Sequence, residues 1–331
     1  MSQHIVISSG DINGIGPEII LKYLYERNLE EHTAIILSSP KVIDYYKRKL
    51  GIDLSYNLIS GIEEATEDTV NLLTSYGVSE EDITPGKLSR KSGQYAMEAV
   101  ETGVELCKNG QADALVTAPI SKEAVNLAGY DIPGHTEFLA ERTQTSNFMM
   151  MLVNEELRVG LNSVHIPIAA VKQTVTETSI IRRSRLMYQS LKNDFAVSEP
   201  AIAVLGLNPH AGDGGIIGKE EQEIISPAIR KLKNEGLNVT GPYPADGFFG
   251  NQSYKQYDGI LAMYHDQGLI PFKTLSFGKG VNFTAGLPIV RTSPDHGTAF
   301  DIAGQGKADT GSFGRAFELA IRLSENRNQY A

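Results

Sequence analysis

The stretch Tyr257-Asp258-Gly259-Ile260-Leu261-Ala262-Met263-Tyr264-His265-Asp266-Gln267-Gly268 begins as an apolar run of strand length and ends in His-Asp-Gln-Gly. A buried strand that carries polar residues out at its carboxyl end is the pattern of an α/β protein, whose ligands sit beyond that end of the sheet. Gly268 is expected to free the backbone for a turn. His265 beside Asp266 can ligate a metal, carry a proton or hydrogen-bond a loop, and the pair alone does not choose among these.

Two more histidines occupy the same kind of position. His165 follows the apolar residues 157–161 in Ser163-Val164-His165-Ile166-Pro167, and His210 follows residues 201–207 in Asn208-Pro209-His210-Ala211-Gly212-Asp213-Gly214-Gly215. Carboxyl ends of parallel strands share one edge, so His165, His210 and His265 can meet there. Three imidazoles with an open position suit a catalytic divalent ion, with zinc favoured by nitrogen ligands. Three unrelated loop histidines fit the spacing equally well, since no local H-x-x-x-H ties them together. Asp246 and Asp266 are the nearby carboxylates, suited to orienting an imidazole or moving a proton. Asp246 in Pro-Ala-Asp-Gly reads equally as a turn residue, and Asp213 among glycines reads as a turn former.

The rest of the chain alternates strands and helices. Residues 5–8 form a strand, and Gly10-Asp11-Ile12-Asn13-Gly14-Ile15-Gly16-Pro17-Glu18 leads into a helix expected to run to about Asn28. These glycines match neither G-x-G-x-x-G nor a P-loop, so a tight turn bringing Asp11 and Asn13 near a cleft is expected rather than a dinucleotide cradle. Strand 33–38 and helix 40–50 follow. Residues 52–90 are polar and weakly patterned, and read as a solvated excursion or edge hairpin. Ser92 is the expected cap of a helix to about 109, followed by a buried strand at 113–117. Residues 148–153 and 157–161 read as an antiparallel hairpin. Helices are expected at 176–193, 219–234 and 312–324, with a glycine-rich tail over 281–309. The pattern predicts an α/β fold with a mostly parallel sheet and a hairpin inserted midway.

The chain's 331 residues are about twice a usual domain length, which favours two domains. Its net charge of -10 argues against a nucleic-acid partner, while local Lys and Arg clusters can still bind anions. The single cysteine, Cys107, cannot form an internal disulfide, and at helical spacing with Ala96, Val100 and Gly103 it reads as a packed thiol. The amino end lacks a signal-peptide pattern and no apolar run reaches membrane-spanning length, so a cytoplasmic protein with no membrane partner is expected. Lys273, Asn282 and Arg291 recur at nine-residue spacing, and together could hold phosphate and carboxylate, although singly each reads as a surface group. His135 and Thr136 in Gly134-His135-Thr136-Glu137 precede a helix and could donate to an anion there, with a plain cap as the alternative.

Residues Asp295-His296-Gly297-Thr298-Ala299-Phe300-Asp301-Ile302-Ala303-Gly304-Gln305-Gly306 form a long, particular loop. It resembles the adenosine-binding loop of the isocitrate and isopropylmalate dehydrogenase superfamily. The whole set of stretches (10–18, 116–122, 134–140, 165–167, 207–212, 241–246, 257–268 and 280–309) is similar in kind and order to the 4-hydroxythreonine-4-phosphate dehydrogenases of the vitamin B6 pathway.

That resemblance implies two α/β/α domains with a cleft between them, placed at 1–130 plus 275–331 and at 131–274, and a homodimer with sites at the subunit interface. It implies one divalent metal (Zn, Mg or Co) on His165, His210 and His265, one of them from the partner. It implies substrate contacts at His135, Thr136, Lys273, Asn282 and Arg291, catalytic roles for Asp246, Asp266 and Lys273, and NAD, with NADP possible, at His296, Gly297, Asp301, Ile302 and Gly304. The implied reaction oxidises the secondary alcohol of 4-phosphohydroxy-L-threonine and then decarboxylates the β-keto acid to 3-amino-2-oxopropyl phosphate. Asp301 favours NAD, because a carboxylate there pairs with ribose hydroxyls and repels the extra phosphate of NADP. Three stretches depart from the family pattern. Asp11-Ile12-Asn13 replaces Asp-Pro-Ala, Gly-Phe-Phe comes where Thr usually follows Pro-Ala-Asp, and Phe300 replaces Leu. The first two leave D-threonate or D-erythronate 4-phosphate open as substrates. A metal-dependent hydrolase or acyl transferase, and a non-catalytic ligand-binding module, are the readings from other classes.

Overall fold

The computed structural model describes residues 2–27, 32–132 and 134–330; Asn28, the expected end of the first helix, lies outside them. The chain divides into two compact units. Unit 1 holds the residues up to Ser146 together with Leu287–Glu325, and unit 2 holds Asn147–Gly286 together with the residues from Asn326 onward.

Unit 1 is built from β1 (His4–Ser8), α1 (Gly16–Glu26), β2 (Thr33–Ser38), α2 (Pro40–Leu50), β3 (Tyr56–Ile59), β4 (Val70–Thr74), α3 (Arg90–Lys108), β5 (Ala114–Thr117), α4 (Lys122–Leu127) and α5 (His135–Arg142). Ile5, Val6 and Ile7 are all fully buried, so β1 reads as a continuous apolar run, as a parallel strand covered on both faces must. Pro17 sits in the first turn of α1, where a missing N–H costs nothing.

Three local expectations change here. Residues 52–90 hold β3 and β4, and these pair parallel with each other, while β4 pairs parallel with β2. They are sheet strands, not a hairpin. Their shortness and the fully buried Asn71 hid them; the Asn71 side chain takes a hydrogen bond from Thr66 N and donates to the carbonyls of Thr66 and Thr69. The cap of α3 is Ser89, whose side chain accepts from Ser92 N at 3.0 Å. Ser92 itself is buried inside the helix. Cys107, near the end of α3, is only partly covered as a residue, but burial pushes its thiol up to about 12.

Unit 2 contains β6 (Met149–Val153), β7 (Arg158–Leu161), α6 (Ile168–Thr174), α7 (Glu177–Asn193), β8 (Ala201–Leu205), α8 (Ser226–Asn234), β9 (Asn238–Tyr243), α9 (Ala245–Gly250), β10 (Gly259–Ala262), α10 (His265–Ser276) and β11 (Val281–Ala285). The chain then returns to unit 1 with β12 (Val290–Pro294), and α11 (Gly311–Tyr330) closes it. Among the described residues the strands of unit 1 run in the order β3-β4-β2-β1-β5-β12, every pair parallel. Those of unit 2 run β11-β6-β7-β10-β8-β9. There β6 and β7 form the expected antiparallel hairpin and β6 also pairs antiparallel with β11, while β7, β10, β8 and β9 are mutually parallel. The glycine-rich tail therefore hides two strands, β11 and β12. No helix among the described residues is long and apolar enough to cross a membrane.

Gly268 does not make a turn. It lies inside α10, which starts at His265 directly after β10. A Cβ at 268 would stand 2.9 Å from both Leu161 Cδ2 and Val159 Cγ1, and 3.1 Å from Ala262 Cβ. The residue is glycine because the helix lies against the sheet, over a core that includes Leu152, Leu161, Ala262, Leu269 and Phe272. In Gly268→Val a gain of about 0.4 kcal/mol in helix propensity opposes an overpacking cost of about 1–3 kcal/mol. The clash wins, and the variant is expected to lower the thermal midpoint by several degrees; a midpoint at or above wild type in calorimetry contradicts this packing account.

Candidate functional site

Because β7, β10 and β8 are adjacent and parallel, their carboxyl ends leave unit 2 at one edge. His165 follows β7, His265 opens α10 after β10, and His210 follows β8. The rings of His165 and His265 stand 5.9 Å apart, centroid to centroid, tilted by 43°. His265 Nδ1 is 2.7 Å from Asp266 Oδ1, which sets Nδ1 as the protonated nitrogen and leaves the Nε2 lone pair outward. Among the described residues no three His, Cys, Asp or Glu side chains converge on a metal-sized position. One chain thus presents two facing imidazoles with a third on the neighbouring strand end. Imidazole pairs backed by a carboxylate suit a divalent transition metal, so the donor set fits the ion.

The loops carrying these histidines are tied to one another. Asn162 N donates to Ala262 O at 2.8 Å and Ser163 Oγ to Met263 O at 2.7 Å, joining the His165 loop to the end of β10. Gln267 accepts from Met263 N at 2.7 Å and donates to Gly206 O at 2.6 Å, joining the start of α10 to the end of β8. His210, Ala211, Gly212, Asp213, Gly214 and Gly215 then form a run of six residues at positive φ, a left-handed turn. Such a backbone costs roughly 1–2 kcal/mol for each non-glycine residue, and Asp213 sits inside it, in a turn as its place among glycines suggests. Ser163 and Gln267 were not singled out from the sequence; Gln267's place in the quoted stretch was the available signal. Asp246 lies exposed in the first turn of α9, after the parallel β9. Lys273 lies exposed on α10, and Asn282 is the second residue of β11, where its buried Oδ1 has no hydrogen-bond partner among the described residues.

Unit 1 carries the remaining residues. Arg291 lies in β12 in register with Leu115 of β5 and is only 1% exposed, not the surface charge its isolation suggests. Its Nε and Nη2 donate to Thr117 Oγ1 at 3.0 and 2.6 Å. Burial brings the guanidinium down to about 9, against the opposing pull of Glu137. Burial, then the charges of Arg291 and Lys122, hold His135 well below the usual imidazole range, so it is neutral. Its buried Nε2 has no hydrogen-bond partner among the described residues. His135 and Thr136 open α5, whose amino end adds positive potential. Arg291 and His135 thus lie within reach of each other's charge in unit 1, Thr136 follows His135 in α5, and Thr117 is an unforeseen partner of Arg291. Lys273 and Asn282 belong to unit 2.

The loop at 295–306 is fastened to the start of α1. Ile15 N donates to Thr298 O at 2.9 Å, and Lys22 Nζ donates to Gly306 O and Ala308 O at 3.1 and 2.6 Å. His296, Gly297 and Asp301 are exposed on it, Ile302 is half-buried and Gly304 is buried. Asp11 and Asn13, expected beside a cleft, are fully buried. Asn13 Oδ1 accepts from Thr84 N at 2.6 Å and Asn13 O from Gly86 N at 2.8 Å, so the residue holds the loop before α3 in place. Asp11 Oδ1 accepts from Asn13 N at 2.9 Å, yet desolvation raises its carboxyl to about 6.

Residues 30–320 match the family described as pyridoxal phosphate biosynthetic protein PdxA. A protein of Bacteroides thetaiotaomicron named 4-hydroxythreonine-4-phosphate dehydrogenase is 43% identical over 327 residues, covering 98% of this chain and 90% of that protein. One of the same name from Prosthecochloris aestuarii is 44% identical over 327 residues, covering 96% of each. The solved structure of 4-hydroxythreonine-4-phosphate dehydrogenase from Klebsiella pneumoniae superposes with a TM-score of 0.88 at 37% identity, over 98% of this chain and 100% of that one.

The raised Asp11 carboxyl has a definite pH signature. Between 3.8 and about 6 the folded state holds a proton that the unfolded chain has released. That contribution is present at low pH and lost as pH rises through about 6. Asp11→Asn keeps an acceptor for Asn13 N and never ionises. It is expected to match wild type near pH 4 and to exceed it by on the order of 2–3 kcal/mol above pH 7. Denaturant unfolding at the two pH values checks this; a pH-independent difference contradicts it.

Proposed function

The chain belongs to the pyridoxal phosphate biosynthetic protein PdxA family, and we propose from this that it is a nicotinamide-linked dehydrogenase acting on 4-phosphohydroxy-L-threonine. The secondary alcohol is oxidised, and the β-keto acid so formed loses carbon dioxide to give 3-amino-2-oxopropyl phosphate. The observation that carries the reading is the His165–His265 pair with Asp266 on Nδ1, at the edge where an α/β sheet binds its ligands.

His165 and His265, with His210 as third ligand, would hold a divalent metal (Zn, Mg or Co), which as a Lewis acid lowers the pKa of the substrate alcohol. Asp266 fixes the His265 tautomer, and Asp246 or Asp266 takes the alcohol proton, directly or through water. Arg291, His135 and Thr136 bind one anionic end of the substrate, the guanidinium by charge and the neutral imidazole by its unpartnered Nε2. Lys273 and Asn282 serve the other end. The 295–306 loop takes the nicotinamide cofactor, with His296, Gly297, Ile302 and Gly304 shaping the adenosine contact and Asp301 favouring NAD over NADP. NAD accepts the hydride.

The active form in this reading is a homodimer, with one imidazole of each metal site supplied across the interface. Exposed apolar residues follow each of these three histidines: Ile166 and Ile168 after His165, Ile216 and Ile217 after His210, and Ile270 after His265. A face of this kind, beside an incomplete ligand set, fits a second copy of the chain. The protein is expected to run at twice 36.0 kDa in light scattering, and Ile216→Glu to release monomers that have lost the metal. A monomeric wild type with full metal content sinks the shared site.

Turnover is expected to show as reduced-nicotinamide absorbance, to vanish on chelation and to return with added metal. His265→Ala is expected to cost at least about 100-fold in kcat/KM, beyond the usual cost of losing a ligand's supporting shell alone. A panel of 4-phosphohydroxy-L-threonine against D-threonate and D-erythronate 4-phosphates, with NAD and NADP, decides substrate and cofactor. A higher kcat/KM with either sugar-acid phosphate, or with NADP, overturns that part of the reading.

A further inference from the structure

We infer that Glu221 is a positioning residue for His210: its buried carboxylate clamps the left-handed turn that presents the imidazole. The inference rests on the metal reading of His210 and extends it to a residue that touches neither metal nor substrate. Glu221 is 2% exposed and opens a π-helical turn, Glu221–Ile225, that runs into α8. Its Oε1 accepts from Leu207 N at 2.8 Å and Asn208 N at 2.7 Å, and its Oε2 accepts from Asn208 Nδ2 at 2.9 Å. These groups are the last residues before the turn. Glu220 takes the same amide at 2.7 Å, is itself paired with Lys172 at 2.6 Å, and is pulled down to about 2, first by Lys172. The Asn208 side chain is thereby fixed in one orientation by two carboxylates.

The turn closes on the same carboxylate from its other side. A Cβ on Gly212, at φ +83, would lie 2.6 Å from Glu221 Oε2 and 2.8 Å from Gly218 O. Ile217 N donates to Gly212 O at 3.1 Å, sealing the loop. Six consecutive residues at positive φ persist only where their surroundings over-determine them. Here that surrounding is one carboxylate accepting on both oxygens, set by a local π-helical irregularity of the kind that recurs at functional sites. The clamp also meets the rest of the edge, since Gly206, whose carbonyl takes Gln267, packs beside Glu221 Oε1.

Glu221→Gln keeps the shape and one acceptor but turns an amide donor toward Asn208 Nδ2. The test measures cobalt binding by absorption titration, together with amide hydrogen exchange over residues 206–217. Leu232→Ala, a buried site in α8, serves as a variant that loses stability without touching the turn. Glu221→Gln is expected to weaken cobalt binding about 10-fold or more and to raise exchange locally, with NAD binding unchanged and Leu232→Ala binding cobalt as wild type does. Unchanged cobalt affinity and exchange in Glu221→Gln overturn the proposal, as does equal weakening in Leu232→Ala. Equal cobalt affinity in wild type and His210→Ala instead removes the metal reading itself. That result comes from a variant with Glu221 intact, so the two failures are distinguishable.

Discussion

Parallel pairing of β7, β10 and β8 is the constraint on which the chemistry of unit 2 depends. Hydrogen bonding in one direction forces three chain segments, far apart in sequence, to leave the sheet at one edge. The ladder stops at the edge, and side chains take over its work. Ser163 and Gln267 carry on the cross-strand bonding where backbone pairing ends, so the loops keep the registration of the strands that feed them. The sheet places the histidines, and these polar ties keep them placed.

Unit 1 works through desolvation instead. Arg291, His135 and Asp11 are ionisable groups held largely away from water, and burial shifts each toward its neutral form. For Arg291 the hydroxyl of Thr117 offsets part of the cost, and a bound anion would offset more. The Nε2 of His135, which has no partner among the described residues, is a deficit of the same kind, one that a polar ligand would relieve.

Much of this was legible in the chain, and the illegible parts share a cause. The strands that read clearly were those made of Ile, Val and Leu on both faces, such as 5–7 and 201–205, and the 148–161 hairpin. β11 and β12 escaped because Asn282, Arg291 and Thr292 put polar groups into strand interiors, the reverse of the usual pattern. β3 and β4 escaped because Asn57 and Asn71 interrupt apolar runs that are already short. Gly268 was misread because a glycine needed for close packing and one needed for a turn look alike in sequence. His165, His210 and His265 were found by their position after strands. The residues that steady them were not, because a glutamine or serine that bonds to a carbonyl far along the chain leaves no local trace.

The thiol of Cys107 makes the molecule self-reporting. Burial pushes the group up to about 12, so the thiolate is scarce at pH 7 while the thiol stays covered. Alkylation is slowed by that burial, and any opening at the end of α3 that wets the thiol speeds it. As the chain's single cysteine, it turns the rate of thiol labelling into a clock for local opening in unit 1, read without any engineered probe.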